Sequence, residues 1–309
     1  IGINALGIAP TGATADFYKE KEYKYPPQFG PLAAVTPGTP GGLMTMLAEY
    51  GTMSLSEVLM PALEYAESGH PLEASVVQAI ESQQELFRRY PSSARSFLPD
   101  NQVPEVGELF KMPELASTFR KLIEAEKTST NVGNSRGEAL DAAFNRFYRG
   151  DIAEEFVRFY EEEGGLFATE DFEQYAPIWS NPVHVKYRGY DIYSSPPTSR
   201  GGLEVLMQLK LIERFDIGSL GEGNPLRTHL MIEAIQLAKS DIYQYVADPT
   251  RFFVPTAGML QDDYLSLRSN LISEVSTMAY PMAGKPEGHG EIPSDFWNAE
   301  NDLQLGSDR

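Results

Sequence analysis

The feature that most constrains the fold is the stretch GPLAAVTPGTPGGLMTMLAEYGTMSLSEVLMPALEYAESGHPL, residues 30–72, in which two consecutive helices carry their own start and stop signals. Pro40 with Gly41 and Gly42 admits a helix running to Tyr50, and Gly51 reads as a left-handed stop. Ser54 is placed as an N-cap. Glu57, three residues on, completes a capping box before Leu55, Val58, Leu59, Ala62, Leu63 and Ala66, which recur at helical spacing, and Gly69 closes the helix.

Helical signals continue. Leu72 to Arg89 carries apolar residues at Val76, Val77, Ile80 and Leu86 and is stopped by Pro91. Pro113 opens a helix whose apolar face is Leu115, Phe119, Leu122 and Ile123. Residues 129–135 read as a polar loop, and 139–148 as a helix. Asp151 is expected to cap the next helix, with Glu154 at the box position and Gly164-Gly165 at its end. The period then changes to two: Val183, Val185 and Tyr187 alternate with His184 and Lys186, Arg188-Gly189 makes a tight turn, and Tyr190, Ile192 and Ser194 return. That is a hairpin signature. Helices follow at about 203–214, 226–245 and 262–273. From Thr277 onward Pro, Gly, Asp and Glu dominate, and residues 277–309 are expected to form an exposed tail after a folded portion spanning 1–276.

A net charge of −19, from 25 basic and 44 acidic residues, gives no basic stripe for a phosphate backbone and repels anionic lipid. Nucleic acid and membrane are therefore not expected partners, and no run approaches the roughly 20 apolar residues of a spanning helix. Without cysteine there are no disulfides, thiolate metal sites or cysteine nucleophile. The four histidines, His70, His184, His229 and His289, lack ligand spacing, so no metal and no cofactor is expected. The acidic groups Glu154-Glu155, Glu161 to Glu163 and Asp262-Asp263 read as solvated helix ends rather than as acid and base partners.

The segment Ser195-Pro196-Pro197-Thr198-Ser199-Arg200-Gly201-Gly202 joins a strand to a helix. Two readings stand: ordinary capping by Thr198 or Ser199, or exposed helix-terminal N–H groups that hold an anion, with Arg200 as a fixed cation beside a substrate carboxylate.

Taken together, these blocks resemble the large subunit of the gamma-glutamyltransferase family. GIAPTGATADFY, GPLAAVTPGTPGGL, YGTMSLSEVLMPALEYAESG, GELFKMPELASTFRKL, FYRGDIAEEFV, GGLFATEDFEQY and PVHVKYRGYDIYSSPPTSRGG occur in the family's order over nearly the whole chain. The resemblance implies an α+β fold, mostly helical here, forming part of an N-terminal-nucleophile hydrolase αββα sandwich that a small subunit from the same precursor completes. It implies self-cleavage that frees a threonine, attack by that threonine on a gamma-glutamyl or similar amide, and no catalytic residue in this chain, since the nucleophile would follow Arg309. Classical members place an arginine for the substrate's α-carboxylate at the position matched here by Leu6. Leu6, Ser199 and Arg200 are thus the expected substrate contacts. Leu6 favours an acylase or other small-amide hydrolase, while the size of the family favours the glutathione-type substrate. The gamma-glutamyl reading therefore stands with the acylase as its alternative, and a scaffold without a nucleophile is the reading from another class. Family resemblance leans toward a periplasmic or secreted protein without excluding the cytoplasm.

Overall fold

The computed structural model describes residues 1–290. By contact density the chain falls into two compact units, one spanning 3–179 and one comprising 180–290 with residues 1–2. The fold is α+β and mostly helical.

The first unit holds β1 (Gly2–Asn4), α1 (Ala15–Glu20), α2 (Thr39–Tyr50), α3 (Leu55–Ser68), β2 (His70–Pro71), α4 (Ala74–Arg89), α5 (Pro91–Phe97), β3 (Leu109–Phe110), α6 (Pro113–Asn131), α7 (Arg136–Tyr148), α8 (Asp151–Glu162), α9 (Thr169–Glu173) and β4 (Ile178–Ser180), with β1 and β4 reaching its boundary. Helix α6 packs on both α3 and α7, and α7 packs on α2. Met44, Leu122, Leu140, Phe147, Tyr148 and Phe172 are central to the core beneath them. A smaller cluster of Leu72, Ile80, Leu98 and Phe110 closes over the short antiparallel pair β2–β3, where the rings of Phe87, Phe97 and Phe110 stack in series.

The box at the head of α3 forms as expected: the Ser54 hydroxyl accepts from Glu57 N at 3.1 Å, and Glu57 Oε2 accepts from Ser54 N at 2.8 Å. Ser54 N, and the Ser54 hydroxyl donating to the same Oε2 at 2.8 Å, hold the Glu57 carboxyl below its usual range. The next two amides are satisfied from afar. The buried Glu126 carboxylate of α6 accepts from Leu55 N at 2.5 Å and Ser56 N at 2.8 Å.

Helix ends depart from the sequence reading in several places. The helix expected at 262–273 stops at Ser269, where the Arg214 guanidinium takes up Ser269 O (3.0 Å) and Ile272 O (2.9 Å), and the one opened by Pro113 runs on to Asn131. Gly51 is extended (φ −84°, ψ 164°), not left-handed, because the Arg136 guanidinium reaches back from α7 to Leu47 O (3.1 Å), Ala48 O (2.8 Å) and Met53 O (3.4 Å). With its last carbonyls served by a cation, α2 needs no reversing glycine. Helix α7 begins at Arg136, earlier than expected, under a second capping box made by Ser135 and Glu138. Asp151 is not a cap. Gly150 takes that place, while the Asp151 carboxylate pairs with Arg146 Nε (3.0 Å) and Lys121 Nζ (2.9 Å).

The second unit opens with the hairpin β5 (Val183–Tyr187) and β6 (Tyr190–Ser194), paired Val183 to Ser194 and Tyr187 to Tyr190. Its two turn residues, Arg188 (φ 47°) and Gly189 (φ 87°), are both left-handed, the backbone that matches strand twist in a two-residue loop. His184 Nε2 lies 2.9 Å from Asp191 Oδ1 on the solvent face. Helices α10 (Arg200–Ile212), α11 (Pro225–Tyr245), α12 (Thr256–Met259) and α13 (Asp262–Ser269) follow. They enclose a core that includes Leu203, Met207, Leu237, Ile242, Met259 and Leu265.

At its edge lies a buried ion pair. Arg268 Nη2 donates to Asp241 Oδ1 (3.0 Å), Ser240 Oγ (2.8 Å) and Met282 O (3.0 Å), while Tyr264 OH and Gly284 N donate to the same carboxylate at 2.7 and 2.8 Å. Burial pushes the Asp241 carboxyl above its usual range against the pull of Gly284 N, Arg268 and Tyr264. The stretch from 277 to 290 contains no helix or strand, yet it is not a loose end. Met278 N donates to Glu233 (3.2 Å), Gly284 O accepts from Tyr245 OH (2.6 Å), and Arg268 and Asp241 hold residues 282 and 284. The rest of the expected 277–309 tail lies outside the described residues. Among the described residues no helix is long and apolar enough to cross a membrane.

Candidate functional site

Two places carry the residues singled out from the sequence, one on each unit. On the second unit, β6 ends at Ser194 and the loop through Pro196 and Pro197 delivers the chain to α10. Gly202 lets the helix sit directly on the strand exit, since a β-carbon there would overlap the Ser195 carbonyl and lie 2.7 Å from Ser195 N. Ser199 is the N-cap residue by backbone (φ −66°, ψ 121°) but its side chain makes no capping hydrogen bond. The opening amides of α10 thus lack the hydroxyl acceptor that a capping serine would give them. Arg200 is exposed, its guanidinium 5.4 Å from the centroid of the Tyr243 ring on α11. A cation parked on an aromatic face, with no carboxylate partner among the described residues, keeps its donors available for an anion.

On the first unit, Leu6 follows β1 and is 56% exposed. Its amide donates to Asn4 Oδ1 at 3.0 Å. Two residues on, Ile8 O accepts from Thr36 N at 2.9 Å, which ties this segment to the turn preceding α2. That turn is held from beneath. Tyr148 OH donates to Pro37 O (2.5 Å) and accepts from Gly41 N (2.9 Å), while Tyr175 OH donates to Gly38 O (3.2 Å). Burial pushes both phenols above their usual range. Both tyrosines lie in blocks that carry the family resemblance, Tyr148 in FYRGDIAEEFV and Tyr175 at the end of GGLFATEDFEQY, but nothing local marks either as the support of a turn more than a hundred residues away.

Of the histidines, His229 Nε2 lies 2.7 Å from Ser273 O and His289 Nδ1 2.7 Å from Pro286 O, so both are engaged by backbone carbonyls. His70 packs edge-on against Tyr65 and Phe110. Asp262 and Glu162 are largely exposed, as solvated helix ends, and each also meets a cation that the sequence reading did not foresee, Lys210 at 3.0 Å and Arg158 at 3.1 Å.

Comparison with known proteins places this geometry in a family. The gamma-glutamyltranspeptidase family model matches residues 1–299. The chain is 29% identical over 302 residues to the glutathione hydrolase proenzyme of Bacillus subtilis (strain 168), covering 96% of this chain and 48% of that protein. It is 30% identical over 280 residues to the acylase ACY 1 proenzyme of Pseudomonas sp. (strain V22), covering 88% and 47%. The chain thus spans about half the length of these relatives. Among solved structures, the Helicobacter pylori gamma-glutamyltranspeptidase superposes with a TM-score of 0.81 at 28% identity, over 94% of this chain and 79% of that one. The cephalosporin acylase of Bacillus halodurans does so with a TM-score of 0.77 at 28% identity, over 88% and 48%. A match over essentially the whole described chain, with the fold shared at this level, means that the protein belongs to the gamma-glutamyltranspeptidase family.

Proposed function

We propose that this chain is the large-subunit portion of a self-cleaving amide acyl-transfer enzyme whose acyl group lacks the α-carboxylate of a glutamyl donor. The whole-chain family match supports the reaction class, and Leu6 is the observation that carries the substrate preference. Relatives named glutathione hydrolase and acylase are equally distant, at 29% and 30% identity, so identity does not separate the two substrates. Position 6 does. A charge-assisted hydrogen bond contributes about 1.5–3 kcal/mol, and an exposed leucine in its place offers an α-carboxylate no partner.

In this reading the precursor cuts itself and frees a threonine at the start of a small subunit. The threonine hydroxyl adds to the amide carbonyl, its proton passing to the threonine's own α-amine. The amine leaving group takes that proton as the C–N bond breaks, and water or an acceptor amine then cleaves the ester. Backbone N–H groups stabilise the oxyanion. Ser199 and Arg200 at the start of α10 contribute an anion contact on their own unit, supported by the missing side-chain cap and the unpaired guanidinium.

The test uses the full-length precursor. Self-cleavage is followed on a denaturing gel, and the mature enzyme is assayed with a gamma-glutamyl anilide and with an acyl anilide that has no α-amino acid head. The acyl anilide is expected to be the better substrate, and Leu6→Arg is expected to raise kcat/KM for the gamma-glutamyl anilide by about tenfold or more. Efficient gamma-glutamyl turnover by the unaltered enzyme would overturn the preference, and a precursor that never cuts itself would overturn the enzyme.

A further inference from the structure

Leu6 combines an accessible side chain with a backbone that is wedged on both sides. A β-carbon at Gly38 would overlap the Ala5 carbonyl oxygen and lie 2.6 Å from the Tyr175 hydroxyl, and one at Gly7 would overlap the Thr36 carbonyl. Residues 5 and 7 thus rest against the turn of residues 35–38 at the closest approach that glycine allows. The Thr36 N to Ile8 O hydrogen bond, 2.9 Å, closes the far side.

The turn cannot yield either, because its other face stands on two tyrosines with 0% and 1% exposure. The rings of Tyr148 and Tyr175 stack at 4.8 Å with 22° between their planes. Their hydroxyls take up the carbonyls of Pro37 and Gly38 and the amide of Gly41. Exposed leucines are commonplace on surface loops, but a backbone fixed by buried phenols is not a loop free to rearrange. Such an arrangement presents a side chain at a fixed place, as recognition requires.

We propose that Tyr148 and Tyr175 are positioning residues for substrate selection: acting through the 35–38 turn, they fix the Leu6 side chain where the acyl group binds. This deepens the reading of Leu6 given above and rests on it. The phenols touch no substrate. Their hydroxyls set the height of the turn, the turn sets Ala5 and Gly7, and those two residues aim Leu6.

The experiment is a double-mutant cycle on the self-cleaved enzyme obtained from its full-length precursor, with the acyl anilide as probe. Tyr148→Phe and Tyr175→Phe are each made alone and in a Leu6→Ala background, and kcat, KM, Tm and the self-cleavage rate are measured. Tyr175→Phe, which loses one buried hydrogen bond, is expected to raise KM about three- to tenfold, and Tyr148→Phe, which loses two, by at least as much, with kcat and self-cleavage unchanged in both. In the Leu6→Ala background the same changes are expected to leave KM where Leu6→Ala alone puts it, while Tm falls equally in both backgrounds. Should Tyr148→Phe fail to fold, Tyr175→Phe, which removes the longer hydrogen bond of 3.2 Å, runs the cycle by itself. Additive KM effects in an active enzyme overturn the positioning claim alone. Absence of turnover in the unaltered enzyme removes the functional reading and the positioning claim together.

Discussion

Replacing Asp241 with asparagine is expected to unpin residues 278–289 and to destabilise the second unit severely. Asp241 is fully buried, and its two oxygens accept from Arg268, Gly284 N and Tyr264. Asparagine's one carbonyl oxygen can still serve Arg268 and Gly284 N, which share Oδ1, but it takes the acceptor from Tyr264 and removes the charge opposite Arg268, a residue 7% exposed. An uncompensated buried cation costs about 3–5 kcal/mol. For a unit of this size that corresponds to a fall in Tm on the order of 10 °C or more. The loss should also be local, since Arg268 and Asp241 between them hold Met282 O and Gly284 N. Thermal melts with limited proteolysis and mass mapping check this: the variant should melt earlier and be nicked between residues 278 and 289. Because the cost resides in the orphaned guanidinium, Asp241→Asn with Arg268→Met should be less destabilised than the sum of the single changes. A melt within about 1 °C of the parent, or single effects that simply add, would refute the reasoning.

Other outcomes follow from the same structure. Glu126→Gln should cost about 2 kcal/mol in a denaturant titration, because a carboxylate that serves Leu55 N and Ser56 N becomes an amide with a single acceptor. Asp151 tests pH dependence. The Arg146 hydrogen bond, then Lys121, hold its carboxyl below the usual carboxylate range, so its stabilisation is present above the unfolded-state value and is lost as pH falls through the folded one. The stability gap to Asp151→Asn should therefore be full at neutral pH, begin to shrink near about pH 4 and close only once the pH lies below the lowered folded-state value, as read from melts across that range. The chain expressed without a companion leaves Val275 and Met282 93% and 84% exposed, along with Phe253 and Leu267. It should self-associate on a sizing column and bind a hydrophobic dye, and a dye-silent monomer would contradict this.

What the sequence disclosed was whatever is written within a few residues. The Ser54–Glu57 box, the Arg188-Gly189 turn and the apolar face of α6 depend on neighbours within four positions, and they were legible. The end of α2 was not, because Arg136 does the work of a reversing glycine from 88 or 89 residues downstream. Asp151 was misread for a related reason: a carboxylate at a helix start looks like a cap whether or not two cations have already claimed it. Residues 277–290 read as part of a loose tail because their anchors are backbone groups held by side chains on α11 and α13, which leave no apolar signature in the segment itself. The candidate site was visible only in outline. Leu6 emerged by resemblance, whereas the tyrosines that hold its surroundings contact groups 107 to 137 positions away.

The Glu126 carboxylate that finishes α3 belongs to a helix 71 residues further along. During synthesis at about 5–20 residues per second, the head of α3 waits several seconds after leaving the ribosome before that acceptor emerges. Until then the Ser54–Glu57 pair alone guards the helix start, so a nascent chain has one local safeguard and one delayed one. Weakening the first would be felt by the growing polypeptide long before it is felt by the finished molecule.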